Sequence, residues 1–465
     1  MKKSKLIELL GSFSGREWSN FQDFVASPYF NRNQAVTALC VLLREQAPAF
    51  ESVERSVIFR QIFPEQPYQD ALLNHTMSFL LKLAEQFIGQ QQYEQHAFVA
   101  AHYTLKGLLE RGLDKHYHYL YEKTARQQTD LPLRNAQYHY AQYYLKNLEA
   151  NRRSQSAARV FNESVQEAAD HLDYFYLAEK LRCTCYMLTS QVIIATPYNL
   201  QLVDEVYRFL QQHPLPESAP IIHAYFYIFK LLRDDQAHAS FEALKNLLNT
   251  QENRFSKQEL AELYQYAINY CNFQILKLRE DFVEEALHLY IKGVDSGILL
   301  HNGKLSPWHY KNIIKAALRL KRFEWTEQFI LQNTRLLEDA YRDDSYHYNL
   351  AELYYYTSRY DAAMTFLNKV DFSDIHYNLG AKVLLVKIYY ETDASDVLES
   401  LLHAFKTFLH RNKVISEELR RTYLNFITIV AQMLRATPEQ YPALCLKVEQ
   451  QPLLTDKNWL LRMLS

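Results

Sequence analysis

The sequence predicts an all-α protein, and three observations support that fold class. Only 9 of the 465 residues are glycine and 13 are proline, whereas globular proteins contain about 7% and about 5% of them. Apolar residues recur at helical spacing along nearly the whole chain. No run of alternating β-branched residues ends at an Asn-Gly or Asp-Gly turn. We therefore predict no sheet, and we assign Asn302 and Gly303 to a loop between helices.

The starts of several helices can be predicted from capping signals. Three hydroxyl residues precede a Glu or Gln at capping-box spacing: Ser14 and Glu17, Ser256 and Glu259, and Thr437 and Gln440. Ser306-Pro307 and Thr196-Pro197 each combine a capping hydroxyl with a proline in the first turn. A proline is tolerated there because its missing N–H has no partner inside the helix. We expect a helix to begin at each of these five places.

Four segments are predicted in order along the chain. They are an N-terminal helical unit (1–95), irregular helix pairs (96–305), regular helix pairs (306–412) and C-terminal helices that cap the open end (413–465). In the first segment, Trp18 and Phe21 share one apolar helix face and are expected to be buried. In the second and third, breaks separate helices of about 15–20 residues, so each pair takes about 34–40 residues, a period typical of helical repeats.

Residues 344–371 carry a specific resemblance. Apolar and small residues fall at fixed positions of a first helix (Asn349, Leu350, Tyr354), a turn (Tyr360, Asp361) and a second helix (Ala363, Leu367, Val370). This arrangement is similar to the tetratricopeptide repeat, although Ser358 stands where that family usually has glycine. The resemblance is clear over about 344–405 and looser over 307–343, whereas 97–300 is assigned by period alone. It implies a right-handed α-solenoid of antiparallel helix pairs; an irregular helical bundle is the alternative for 97–300.

Charge and cysteine content bound the class of protein. The chain has 51 basic and 53 acidic residues, which argues against a protein that coats nucleic acid through excess positive charge. Its five cysteines are scattered and odd in number, as in proteins of a reducing compartment. Glu8 interrupts the short apolar stretch near the N-terminus, and no long apolar segment fits a bilayer. We expect a cytoplasmic protein that has no contact with a membrane.

The sequence offers no support for an enzyme, a cofactor or a metal site. The segment from Gly297 to Leu305 has five residues between its glycines and a leucine after its lysine. A phosphate-binding loop needs four residues and then Ser or Thr, so the segment is interpreted as a connecting loop. His116 and His118 are two residues apart, which places them on different helix faces. We predict a non-catalytic protein.

One basic patch is the candidate binding surface. Residues 301–323 contain six basic residues and no acidic one, and Lys311, Lys315 and Arg319 form a stripe at four-residue spacing. In the tetratricopeptide family the first helix of each pair lines the concave surface. The resemblance therefore implies these partner-binding residues: Trp308, Lys311, Lys315, Arg319, Tyr348, Glu352, Tyr355, Tyr356, Lys387 and Tyr390.

Aromatic rings beside cations suit a peptide or partner helix that carries carboxylates or phosphates. We thus expect a protein-protein interaction scaffold or adaptor whose concave groove binds a possibly acidic segment. Reversing the three stripe charges is expected to leave the melting temperature nearly unchanged. The alternatives are an ordinary solvated face, a nucleic-acid-linked regulatory protein, and a self-assembling architectural protein. The sequence does not indicate the oligomeric state.

Overall fold

The protein is mostly helical, as predicted. The computed structural model describes residues 4–47, 50, 54–154, 161–193, 197–213, 216–234, 237–370 and 375–465. These residues form 23 α-helices and one two-stranded hairpin. The first nine helices are α1 (Lys5–Gly11), α2 (Gly15–Ala26), α3 (Gln34–Glu45), α4 (Arg55–Ile62), α5 (Asp70–Gln95), α6 (Ala97–Glu110), α7 (Asp114–Asp130), α8 (Ala136–Ser154) and α9 (Glu163–Ile193).

The remaining elements are α10 (Val203–Gln212), α11 (Pro220–Arg233), α12 (His238–Thr250), α13 (Lys257–Leu276), α14 (Asp281–Asp295), β1 (Leu300–His301), β2 (Lys304–Leu305), α15 (Pro307–Arg319), α16 (Phe323–Asn333), α17 (Asp339–Tyr356), α18 (Tyr360–Leu367), α19 (Ile375–Glu391), α20 (Ser395–Arg411), α21 (Glu417–Met433), α22 (Tyr441–Gln450) and α23 (Lys457–Leu464). The chain divides into two compact units. The first comprises residues 1–132 and 136–176, and the second comprises residues 133–135 and 177–465.

The start of the first unit has an aromatic core of its own. Ser14 caps α2, its hydroxyl accepting from the N–H of Glu17 while the Glu17 carboxylate accepts from the N–H of Ser14. This start directs Trp18 and Phe21 inward, where both are fully buried. The Phe21 ring packs 5.4 Å from that of Phe87 on α5. The predicted burial of this face is confirmed.

The second unit repeats one pattern of helix contacts. In each of five successive pairs, the first helix packs on the second: α11 on α12, α13 on α14, α15 on α16, α17 on α18, and α19 on α20. Each second helix from α12 to α18 also packs on the first helix of the next pair. First helices also contact each other directly where α11 meets α13 and where α17 meets α15 and α19. The apolar faces of these helices are therefore covered by their neighbours along the chain, as in a helical-repeat protein.

The turn inside four of these pairs has the same backbone geometry. One residue adopts a left-handed conformation, and the next N–H donates to the carbonyl five residues earlier, as in a Schellman cap. The left-handed residues are Leu278, Lys321, Ser358 and Asp393, with φ of 64°, 58°, 55° and 55°. The hydrogen bonds that follow them measure 2.8–3.1 Å. Ser358 thus performs the backbone task that a glycine would perform without steric cost.

Three predictions about local structure are wrong. Tyr360 and Asp361 begin α18 instead of forming the turn before it, and Val370 lies beyond that helix, which ends at Leu367. Asn302 and Gly303 connect two helices as predicted, but a small sheet is present: they have φ of 50° and 74° and join β1 to β2 in an antiparallel hairpin. Two successive positive φ angles are what a two-residue hairpin turn requires. No helix begins at Pro197; the next helix starts six residues later, at Val203. Thr196, the predicted cap, lies outside the described residues.

Candidate partner-binding surface

The predicted basic stripe lies on α15, whose start is fixed by Ser306. The Ser306 hydroxyl accepts from the N–H of Trp308 at 3.3 Å, and Pro307 occupies the first turn. The helix turns Ile313, Ala317 and other apolar residues into the core. Trp308 is left 53% exposed. Lys311 and Arg319 are half-buried and Lys315 is exposed.

Two of the three stripe cations have partners inside the protein. The ammonium group of Lys311 lies 4.6 Å from the ring centre of Tyr348 and 5.1 Å from that of Tyr377. Arg319 forms an ion pair with Glu280 of the preceding repeat. The stripe is therefore integrated into the packing of neighbouring repeats. Reversing all three charges would remove these contacts, so we no longer expect that variant to keep its full stability.

The predicted residues of α17 are mostly buried, which corrects the expectation that they face an open groove. Tyr348 is 3% exposed and Tyr355 is 5% exposed. The Tyr355 hydroxyl donates to the Glu391 carboxylate. Glu352 is 8% exposed, and its Oε2 has no hydrogen-bond partner among the described residues. Tyr356 alone is well exposed, at 41%, although partial burial raises the pKa of its hydroxyl to about 12.

The C-terminal segment covers the predicted residues of α19. Lys387 is buried, and its ammonium group lies 2.7 Å from Oδ1 of Asp456, at the start of α23. Tyr390 is half-buried, with its ring 5.5 Å from that of Trp459 on α23. Burial favours the neutral form of Asp456, but the charge and hydrogen bond of Lys387 outweigh it and hold its pKa below the usual value. A carboxylate of the chain itself thus takes the place that a partner was expected to fill.

Glu391 links this segment to the helix pairs. Its carboxylate accepts hydrogen bonds from the Tyr360 hydroxyl and from Nε1 of Trp459, both at 2.6 Å. Burial raises the pKa of Glu391, but the hydrogen bonds from Tyr355, Tyr360 and Trp459 outweigh that effect and lower it. The sequence pattern does not indicate Glu391, Trp459 or Asp456, because Trp459 bonds to a carboxylate 68 residues away and Asp456 bonds to a lysine 69 residues away.

A pocket of about 500 Å³ lies where the hairpin meets the start of α15. We name it the hairpin pocket; its charged and aromatic lining includes His301, Lys304, Trp308, Lys311, Glu338 and Tyr341. Lys304 is half-buried and donates to the carbonyl of Leu337 at 3.2 Å. Burial lowers the pKa of His309, which also lines the pocket. Two predicted residues, Trp308 and Lys311, therefore meet in a cavity that Tyr348, Tyr355 and Lys387 do not reach.

In the described part of the chain, no three His, Cys, Asp or Glu side chains lie close enough together to hold a metal ion. None of the described helices has both the length and the apolar character needed to cross a membrane. Comparison of the chain with models of protein families, with curated proteins and with solved structures gave no match.

Proposed function

We propose that the protein is a non-catalytic interaction scaffold whose helix pairs are of the tetratricopeptide type, and that it binds an acidic segment of a partner protein at the hairpin pocket. The observation that carries this proposal is the lining of the pocket. Two lysines, two histidines and two exposed aromatic rings border about 500 Å³ of space, and Glu338 is the one carboxylate among the described residues of the lining.

The balance of charge in the pocket favours a carboxylate or phosphate group. His301 is exposed, and the Lys304 ammonium group uses one of its three N–H donors on the Leu337 carbonyl. A guest carboxylate can therefore pair with cations that are already held in place, which reduces the entropy lost on binding. Trp308 adds apolar contact area beside these cations, as aromatic residues do at interaction hot spots.

The helix pairs support the tetratricopeptide type. Ser358, which stands where the family usually has glycine, has a left-handed conformation two residues before α18 begins. Ala351 and Ala363 are fully buried where α17 and α18 pack together. Small residues at such a crossing let two helices approach closely, which is the packing that the repeat requires.

Affinity capture from the native host, followed by mass spectrometry, tests the proposal. The double variant His301→Glu/Trp308→Ala changes two exposed side chains of the pocket, so we expect its fold to be kept and its partner to be lost. Tyr119→Ala is the matched control, because it removes a 73% exposed aromatic ring on α7. The captured partner should then bind through a segment rich in Asp or Glu, measured with synthetic peptides by fluorescence anisotropy. A partner that the pocket variant captures as well as the wild type would contradict the proposal.

A further inference from the structure

A second surface, separate from the hairpin pocket, lies near the C-terminus. Helices α20, α21 and α22 border a groove of about 850 Å³, which we name the C-terminal groove. The residues that α21 contributes recur at helical spacing from Leu424 to Gln432. At 1.5 Å per residue this stretch is about 12 Å long, or just over two helical turns. The groove thus has the length of a short helix.

The floor of the C-terminal groove is apolar. Leu402 and Ile427 are almost fully buried beneath it, and Leu424 and Leu444 are half-buried at its sides. Ala443 on α22 lies among them and is exposed. Small side chains between larger aliphatic ones let a guest helix approach the backbone, as in the packing of ridges into grooves. The floor therefore suits the leucine-type face of an amphipathic helix.

The rim of the groove is basic. His403 and Lys406 stand on α20, and Lys447 stands on α22, all of them exposed. Lys447 also donates to the side chain of Gln432 at 2.9 Å. Arg435 lies at the end of the groove and meets Glu399, outside the lining, at 3.5 Å. No carboxylate lines the groove among the residues that the structure describes.

We infer that the C-terminal groove binds an acidic amphipathic helix of a partner protein, which contacts the groove over about two turns. Its apolar face packs on Leu424, Ala431 and Leu444, which keep part of their surface exposed, and its flanking carboxylates pair with Lys406 and Lys447. This combination of apolar floor and charged rim is how helix-in-groove recognition obtains both affinity and orientation. The inference concerns a different surface from the hairpin pocket, so either proposal can fail without the other.

A designed peptide tests the inference directly. The probe is a fluorescent helix of about 14 residues with leucines along one face and glutamates on both flanks, titrated with the full chain. A second peptide replaces every glutamate with lysine, and a third keeps the composition but distributes the leucines around the helix. We expect saturable binding of the first peptide only, weakening as salt is added because exposed ion pairs are screened.

Three protein variants separate charge from shape. Lys406→Glu/Lys447→Glu should weaken binding of the acidic peptide at least tenfold, or about 1.4 kcal/mol. Ala443→Arg keeps the positive charge of the groove but fills its floor, and should also weaken binding. Lys115→Glu/Lys413→Glu reverses two exposed lysines outside the groove and should bind like the wild type. Circular dichroism checks that each variant is folded.

Several results would overturn the inference. These are no saturable binding of the acidic peptide, equal binding of the lysine peptide, or unchanged affinity of Lys406→Glu/Lys447→Glu. Displacement of the bound peptide by a single-stranded oligonucleotide at lower concentration than by unlabelled peptide would assign the basic rim to nucleic acid. A wild-type dimer in sedimentation that Lys406→Glu/Lys447→Glu dissociates would assign the groove to a second copy of the chain.

Discussion

The close packing of α19 on α17 depends on Gly380. A Cβ atom at this position would lie 2.7 Å from the hydroxyl oxygen of Tyr348 and 3.0 Å from two of its ring carbons. Tyr348 is 3% exposed, and its ring packs 5.3 Å from that of Tyr377, so it has little room to move away. Alanine gains about 1 kcal/mol over glycine inside a helix, whereas overpacking a core costs about 1–3 kcal/mol.

A contact of 2.7 Å is a severe clash, so we expect Gly380→Ala to destabilise the protein by about 1–2 kcal/mol. The melting temperature should fall by about 1–2 °C, because the unfolding entropy of a chain of this length is about 1 kcal/mol/K. Gly89→Ala is the matched control: this glycine lies in α5 with nothing within 4 Å of an added Cβ. The control should therefore gain up to about 1 kcal/mol. The assay is thermal unfolding of the full chain followed by circular dichroism.

Adding Tyr348→Phe to Gly380→Ala removes the atom closest to the new methyl group, so the double variant should recover part of the lost stability. The coupling energy of this double-mutant cycle reports the steric contact itself. The reasoning would be refuted if Gly380→Ala raised the melting temperature as Gly89→Ala does, or if Tyr348→Phe gave no recovery.

Three further predictions concern the turns, the C-terminal segment and the basic stripe. Ser358→Gly should raise the unfolding free energy by about 0.5–1 kcal/mol in urea denaturation, because glycine adopts the left-handed conformation without steric cost; a loss of stability would show that the serine side chain is required. Asp456→Asn should cost about 2 kcal/mol at pH 7, because it leaves the buried ammonium group of Lys387 without its counter-charge. Folding lowers the pKa of Asp456 from 3.8, so its stabilising effect is present above that pH and is lost as the pH falls through the lower folded value. The difference in unfolding free energy between wild type and variant should therefore shrink between pH 7 and pH 3. A constant difference would argue against the ion pair. Lys315→Ala should change the melting temperature by less than about 2 °C, since an exposed lysine on a helix surface contributes little to folding, and a larger loss would indicate that Lys315 contributes to the core of the repeat.

Local signals in the sequence predicted much of the fold. Ser256 and Glu259 form the expected capping box at the start of α13, and Ser306 caps α15 ahead of Pro307. Such contacts join residues two or three positions apart, so the residue types and their spacing are sufficient to predict them. The hairpin at Asn302 was missed because each strand has two residues, too few to show an alternating pattern.

The candidate site was harder to predict, because burial on its helices is decided by distant parts of the chain. The sequence placed Tyr355 and Lys387 on the helix faces expected to bind a partner, but it gave no sign that the segment around Asp456 and Trp459 would cover them. The lysine-aspartate pair joins residues 69 positions apart. Period and amphipathicity describe one helix at a time, so they do not report which neighbour covers its exposed face.

The recurring turn also bears on how such a protein can evolve. The same left-handed position is occupied by a leucine, a lysine, a serine and an aspartate in four successive pairs, because hydrogen bonds between main-chain groups hold the turn. Selection can therefore maintain the turn without preserving any one residue at its left-handed position. Helix pairs that share this turn can therefore differ in sequence at its left-handed position while the geometry of the turn stays the same.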